Sequence, residues 1–228
     1  MFDMNPLEVV VPVIAAVGVP AWAAFHPRSQ LFGAAICGVR NACAVTFDDG
    51  PNPDVTPKLL DLLEKHRVSA TFFVLGKYVE QYPQLACEIA AAGHVIGNHT
   101  FSHPSLLFFS QQQIMNELRR CEAAVSEATG QSMNIVRPPF GFRGPQFHPA
   151  AQKMGLSRVI MWSVSGHDWN QQPAAHLSRR LQKVKLGDIV LLHDGDHRVA
   201  NADRSHMLEA LEHWLPRWQD AGLKLVTV

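Results

Sequence analysis

From residue 42 to the C-terminus, short apolar runs alternate with segments of helical periodicity, and this alternation restricts the chain to a parallel α/β architecture. The runs are 42–47 (ACAVTF), 69–75 (SATFFVL), 94–98 (HVIGN), 133–137 (MNIVR), 157–163 (SRVIMWS), 188–193 (DIVLLH) and the closing LKLVTV. Consecutive strands joined through helices pair in parallel by right-handed crossovers, leaving an open doubly wound sheet or a barrel. No Gly-x-Gly-x-x-Gly follows a strand, which removes the main support for a dinucleotide fold. Seven strands with a helix between each pair fit a distorted (β/α) barrel with one unit missing.

The helical segments carry their own punctuation. Thr56-Pro57 reads as N-cap and first helical residue, with Leu59, Leu60 and Leu63 sharing a face. QLACEIAAA stops at Gly93. Ser110 and Gln113 form a capping-box pattern, and Ile114, Leu118, Cys121, Val125 and Ala128 make a stripe that ends at Gly130. Shorter helices are expected over 146–154 and from Pro173 to residue 185, and a long one over 203–221, kinked at Pro216.

The first 41 residues stand apart as a segment preceding a domain of residues 42–228. Residues 9–25 are uncharged and mostly apolar, at the short limit for a membrane span, and are interrupted by Pro12 and Pro20. The preceding MFDMNPLE has acid and no Lys or Arg, unlike a secretory signal. Residues 9–25 therefore read either as a membrane anchor or as an apolar helix packed on the domain, with location at a membrane or cell envelope left open between them.

Charge balance excludes some partners. Lys+Arg and Asp+Glu are both 20, so neither nucleic acid nor an anionic membrane surface is favoured as a non-specific partner. The cysteines (Cys37, Cys43, Cys87, Cys121) lack the spacing of a disulfide scaffold or a structural zinc site and are expected to be free thiols. Cys37 and Cys43, close in sequence, are the pair best placed to contradict this.

Polar residues gather at the strand C-termini, the face on which barrel active sites are built. Strand one ends in Asp48-Asp49-Gly50, strand three in Asn98-His99 with His103 a turn later, and strand four in Arg137. Strand five runs toward Asp168-Trp169, and strand six ends in His193-Asp194. His99 and His103, four apart, share one face of a helical turn and can hold one metal ion. Alone they would read as two surface histidines; a carboxylate from another strand end makes two imidazoles and one oxygen ligand, a set that leaves coordination positions open. Asp49-Gly50 is by itself an ordinary turn, but a turn does not explain two acids directly after AVTF. Adjacent strand residues face opposite ways, so Asp48 and Asp49 should have different tasks. Leu191 and His193 share a face, placing an apolar wall beside a proton donor.

TFDDGP (46–51), HTFSHP (99–104), RPPFG (137–141), DW (168–169) and LLHD (191–194) occur in the order found in polysaccharide deacetylases, and over residues 42–228 the chain resembles that family of carbohydrate esterases. The resemblance implies a distorted (β/α) barrel and a metal-dependent hydrolase that removes N-acetyl groups from an amino-sugar glycan of peptidoglycan or chitin type. It implies Asp49, His99 and His103 as ligands of one divalent ion, zinc ahead of cobalt, nickel or manganese. Asp48 would be the base, partnered by Arg137; His193 would be the acid, oriented by Asp168. The Phe140 N–H would serve the oxyanion, and Trp169 and Leu191 would wall the acetyl-methyl pocket. Two positions depart from the family pattern: Phe140 stands where Tyr is frequent, and Ser165 where an Asp is frequent. An O-acetyl esterase of xylan-like glycans, a deacylase of a non-sugar amide and a carbohydrate-binding protein without turnover are the competing readings.

Overall fold

The computed structural model describes residues 18–228. In chain order the elements are α1 (Val19–Phe25), β1 (Cys43–Asp48), α2 (Thr56–Lys65), β2 (Thr71–Val74), α3 (Gly76–Gln81), α4 (Pro83–Ala91), β3 (Val95–Asn98) and α5 (Gln111–Thr129). There follow β4 (Ile135–Val136), α6 (Phe147–Lys153), β5 (Arg158–Val159), β6 (Val164–Ser165), α7 (Ala174–Leu181), β7 (Ile189–His193), α8 (Ser205–Asp220) and β8 (Leu225–Val226).

β1 is buried along its whole length, which places it at the middle of the sheet. The order is β5-β4-β3-β2-β1-β7-β6, every ladder is parallel, and β8 pairs with the start of β1. Side-chain alternation gives the sheet two apolar faces. Val45, Phe47, Phe72, Val74, Val190 and Leu192 join the large core beneath the helices. Ala44, Phe73, Ile135, Ile160 and Ile189 form a small separate core on the inner face. Above the latter the inner positions turn polar, with Thr46, Asp48 and Arg137 all buried.

The expected barrel is present, and all seven expected strands occur. β6 is an additional strand that follows β5 with no helix between them, so Asp168 and Trp169 lie beyond β6 rather than β5. Residues before 42 also take part: Ile36 bridges to Ile160 beside β5, and Gly38 bridges to Asp188 at the start of β7. Residues 9–17 of the expected anchor lie outside the described residues; among those described, no helix is long and apolar enough to cross a membrane.

Local details amend the helical expectations. Thr56 is the first helical residue rather than the N-cap, and its hydroxyl donates to Asp194 while accepting from the Asn52 N–H. The buried face of α2 uses Leu62 with Leu59 and Leu63, leaving Leu60 partly exposed. Pro216 sits within α8 without ending it. The Ser110–Gln113 capping box and the left-handed Gly130 C-cap bound α5 as its sequence implies. All four cysteines are free.

Leu118 is fully buried in the stripe of α5. Leu118→Ala should lower unfolding free energy by about 2–5 kcal/mol, through lost burial and the cavity left behind. Urea denaturation, with the midpoint falling at an unchanged slope, checks this.

Candidate active site

Because the strands are parallel, their C-terminal ends share one rim, and every sequence-expected site residue is found there. A pocket of about 400 Å³ is lined by Asp48, Asp49, His99, His103, Phe140, Trp169, Leu191 and His193. Arg137 and Asp168 are fully buried behind it.

Asp48 ends β1, where strand geometry alone would point Asp49 the other way. Asp49 instead adopts φ 70°, and this left-handed turn brings its carboxylate back to the same pocket. The turn packs against the end of β7: a Cβ on Gly50 would strike the Asp194 carboxylate, and one on Gly195 would strike the Asp49 carbonyl. Both positions therefore demand glycine.

His99 and His103 do not share a helical turn as expected. Thr100 and His103 both have positive φ, 70° and 63°, and the segment loops away from β3. Side chains secure that loop. Asn98 Oδ1 accepts from the Thr100 N–H, Thr100 Oγ1 accepts from the His103 N–H, and Glu117 accepts from the Phe101 and Ser102 N–H groups. The outcome still satisfies a metal-binding geometry. Nε2 of His99 and of His103 lie 3.5 and 3.3 Å from Asp49 Oδ1, and the three ligand atoms fall within 4.8 Å of one another. His99 Nδ1 donates to the Arg137 carbonyl at 2.7 Å, which leaves the Nε2 lone pair facing Asp49.

The electrostatics suit a cation. Asp49 Oδ1 is buried without a hydrogen-bond partner. Burial opposes charge on Asp49, yet the imidazoles of His197, His103 and His99 around it hold its carboxyl well below the usual carboxylate range. Burial pushes the His103 imidazole down to about 3 against the pull of Asp49, keeping the ring neutral and its lone pair free. Two imidazole nitrogens and one carboxylate oxygen that lacks a hydrogen-bond partner fit a divalent ion.

Asp48 stands beside this cluster, its Oδ2 3.7 Å from His99 Nε2. Its Oδ1 accepts from Arg137 Nη1 at 2.7 Å. The same nitrogen donates to Thr46 Oγ1, while Nε and Nη2 donate to the carbonyls of Ile160 and Met161. Opposite them, Asp168 takes hold of His193 twice. Its Oδ2 accepts the backbone N–H at 2.8 Å and its Oδ1 lies 2.9 Å from ring Nδ1. Burial would lower the His193 pKa, but the Asp168 charge and hydrogen bond, with Asp49 and Asp48 further off, outweigh it and raise it to about 9.

Several contributors carry no signal in sequence spacing. His197 stacks on His103 at 4.3 Å, with Nδ1 3.7 Å from Asp49 Oδ2. Arg204 donates to the Trp169 and Gly195 carbonyls, and His206 Nε2 lies 3.0 Å from the Asp168 carbonyl. Trp162 joins the pocket wall. The one available cue was the second histidine soon after LLHD, in GDHR.

Comparison with known proteins agrees with this geometry. The family model for polysaccharide deacetylases matches residues 36–159. A chitooligosaccharide deacetylase from Sinorhizobium fredii is 37% identical over 185 residues, 78% of this chain and 86% of that protein. A peptidoglycan-N-acetylglucosamine deacetylase from Bacillus cereus is 34% identical over 189 residues, 81% of this chain and 66% of that protein, so the chain falls just short of two thirds of its length. Among solved structures, a carbohydrate esterase family 4 pseudoenzyme from Bacillus anthracis superposes with TM-score 0.77 at 27% identity, covering 86% of this chain and 67% of that one. One such fold is thus described as a pseudoenzyme, and the residues at the rim, not the fold, carry the chemistry. By the extent of the family match and by the identity to its relatives, the chain belongs to the polysaccharide deacetylase family.

Proposed function

We propose that the protein hydrolyses the N-acetyl groups of an amino-sugar glycan of peptidoglycan or chitin type. The observation that carries this is the pairing of His193 with Asp168 beside the Asp49–His99–His103 cluster. An amide nitrogen leaves only once protonated, whereas an ester oxygen needs far less help. An imidazole raised to about 9 keeps its proton at neutral pH for that step. This favours an N-acetyl over an O-acetyl substrate.

Asp49, His99 and His103 would hold a divalent ion, zinc ahead of cobalt, nickel or manganese for this ligand set. Such an ion supplies Lewis acidity and lowers the pKa of water toward about 7. Asp48 Oδ2, on the cluster side of its carboxylate, takes the proton of the attacking water, while Arg137 fixes Oδ1 and with it the direction of the group. The Phe140 N–H, turned by a φ of 59°, is the donor assigned to the oxyanion. Leu191 and Trp169 wall the space for the acetyl methyl, and Trp169 stands edge-on to His193 at 5.6 Å. His193 gives its proton to the leaving amine, and acetate and a free amino sugar result. With a glycan of peptidoglycan type as substrate, we propose the cell envelope as its place of work.

The two aspartates separate experimentally. Asp48→Asn should cut acetate release from N-acetylglucosamine oligomers by about 10²–10⁴-fold while metal stays bound, and excess metal should restore nothing. Asp49→Asn should lose metal and activity together and recover part of both at high metal concentration. Metal content by elemental analysis alongside acetate release reads both outcomes; rescue of Asp48→Asn by metal would show the roles reversed.

Asp168→Asn tests the acid. Removing the charge that raises the His193 pKa leaves burial to lower it, so the imidazolium is lost at lower pH. The alkaline limb of kcat should move down by about one pH unit or more, and the His193 ring should titrate correspondingly earlier by NMR in the metal-free protein. An unmoved limb would remove His193 from the role of acid.

A further inference from the structure

Residues 19–29 are fastened to the mouth of the pocket. The fastener is Arg143, which is 2% exposed. Its backbone N–H donates to the Ala24 carbonyl at 3.0 Å. Its Nη2 donates to the carbonyls of His26, Pro27 and Ser29 at 3.2, 3.1 and 2.8 Å. Arg143 follows Phe140 by three residues, so the N-terminal segment and the loop that walls the reaction centre are held as one body.

Aromatic rings run along that body. Phe140 meets His103 edge-on at 4.4 Å, Phe142 tilts against Phe140 at 5.5 Å, and Phe25 meets Phe142 edge-on at 4.7 Å. One turn earlier in α1, Trp22 stacks on His26 at 4.5 Å. Phe140, Phe25 and Trp22 are 44%, 51% and 58% exposed, an unusual outlay of large apolar surface in a row. The pocket holds about 400 Å³ and is lined by Phe140 and Phe142, while Phe25 and Trp22 lie outside its lining.

Resting on the deacetylase reading above, we propose that Phe25 and Trp22 form a glycan platform that holds sugar units next to the one being deacetylated. The occupant is the neighbouring pyranose rings of a β-linked N-acetylamino-sugar chain. Such rings expose axial C–H groups on their faces and direct hydroxyls outward, which matches the large exposed aromatic surface of Phe25 and Trp22. Phe140 and Phe142 line the pocket and Phe25 meets Phe142, so the strip starts at the pocket wall. Both residues precede the family match at 36–159.

The test compares N-acetylglucosamine dimer and hexamer binding by calorimetry to the metal-free full-length protein and to its Trp22→Ala/Phe25→Ala variant, where no turnover intervenes. The wild type should bind hexamer at least about tenfold more tightly than dimer, and the variant should bring hexamer to within about threefold of dimer without changing dimer affinity. Both substitutions are at exposed positions, and circular dichroism verifies the fold. No hexamer preference in the wild type, or an undiminished preference in the variant, overturns the platform. Acetate release by the metal-loaded wild type judges the deacetylase reading separately: absent release with the hexamer preference abolished by the variant leaves the platform supported and the reaction refuted.

Discussion

Arg137 is the residue through which the barrel interior and the reaction centre depend on each other. It is among the largest fully buried side chains, and its guanidinium joins β1 through Thr46 and Asp48 to the backbone after β5 through Ile160 and Met161. Its charge lies 4.1 Å from the Phe73 ring centroid, over β2. Burying a cation so deeply is unfavourable unless every donor is used, and here the acceptors come from strands on both sides of the barrel. The same residue's carbonyl accepts from His99 Nδ1. One residue therefore aims the Asp48 carboxylate with its side chain and sets the tautomer of the His99 imidazole with its backbone.

The two sides of the reaction are built differently. On the side of the proposed base, Asp48 is paired with the Arg137 guanidinium and Asp49 is ringed by the imidazoles of His99, His103 and His197. On the acid side, Asp168 binds both the backbone and the ring of His193, fixing the position of the imidazole as well as its proton. Arg204 and His206, reaching from the turn before α8 and its first turn, hold the loop that carries Asp168 and Trp169. Those two contacts act on the site through the carbonyls of the loop and touch nothing that reacts.

The strand–helix alternation made the barrel legible because its signals are local: β-branched and aromatic runs, helical stripes such as that of α5, and glycines at helix ends. The motif residues were legible because strand C-termini in a parallel sheet share a rim. Less local features were not. α3 begins at a glycine and is only six residues long, too short for periodicity to register. β6 is two residues, and its pairing with β7 is decided by tertiary contact. The positive φ of Asp49, Thr100 and His103 reversed two arguments built on regular geometry, since neither strand alternation nor helical i, i+4 spacing survives a left-handed residue. In both cases the same residues converge on the pocket but for a different reason: loop hydrogen bonds from Asn98, Thr100 and Glu117 replace the expected helical turn.

The register of the central strands sets the proposed base and the proposed acid side by side. β1 and β7 are adjacent and parallel, with Asp48 paired directly to His193. Neighbouring strands lie about 4.8 Å apart, so two residues at matching heights stand on either side of a single small group. The left-handed turn at Asp49 brings its carboxylate to the imidazoles of the loop after β3, while Gly50 packs against Asp194 at the end of β7. In the proposed reaction, water activation at Asp48 and amine protonation at His193 therefore start from adjacent strands, with the scissile carbon between them. Shifting β7 by one residue would bring Leu192 to the rim in place of His193 and send the acid to the face that packs the large core. The apolar requirement of that core, through Val190 and Leu192, is what keeps the proton donor facing the pocket.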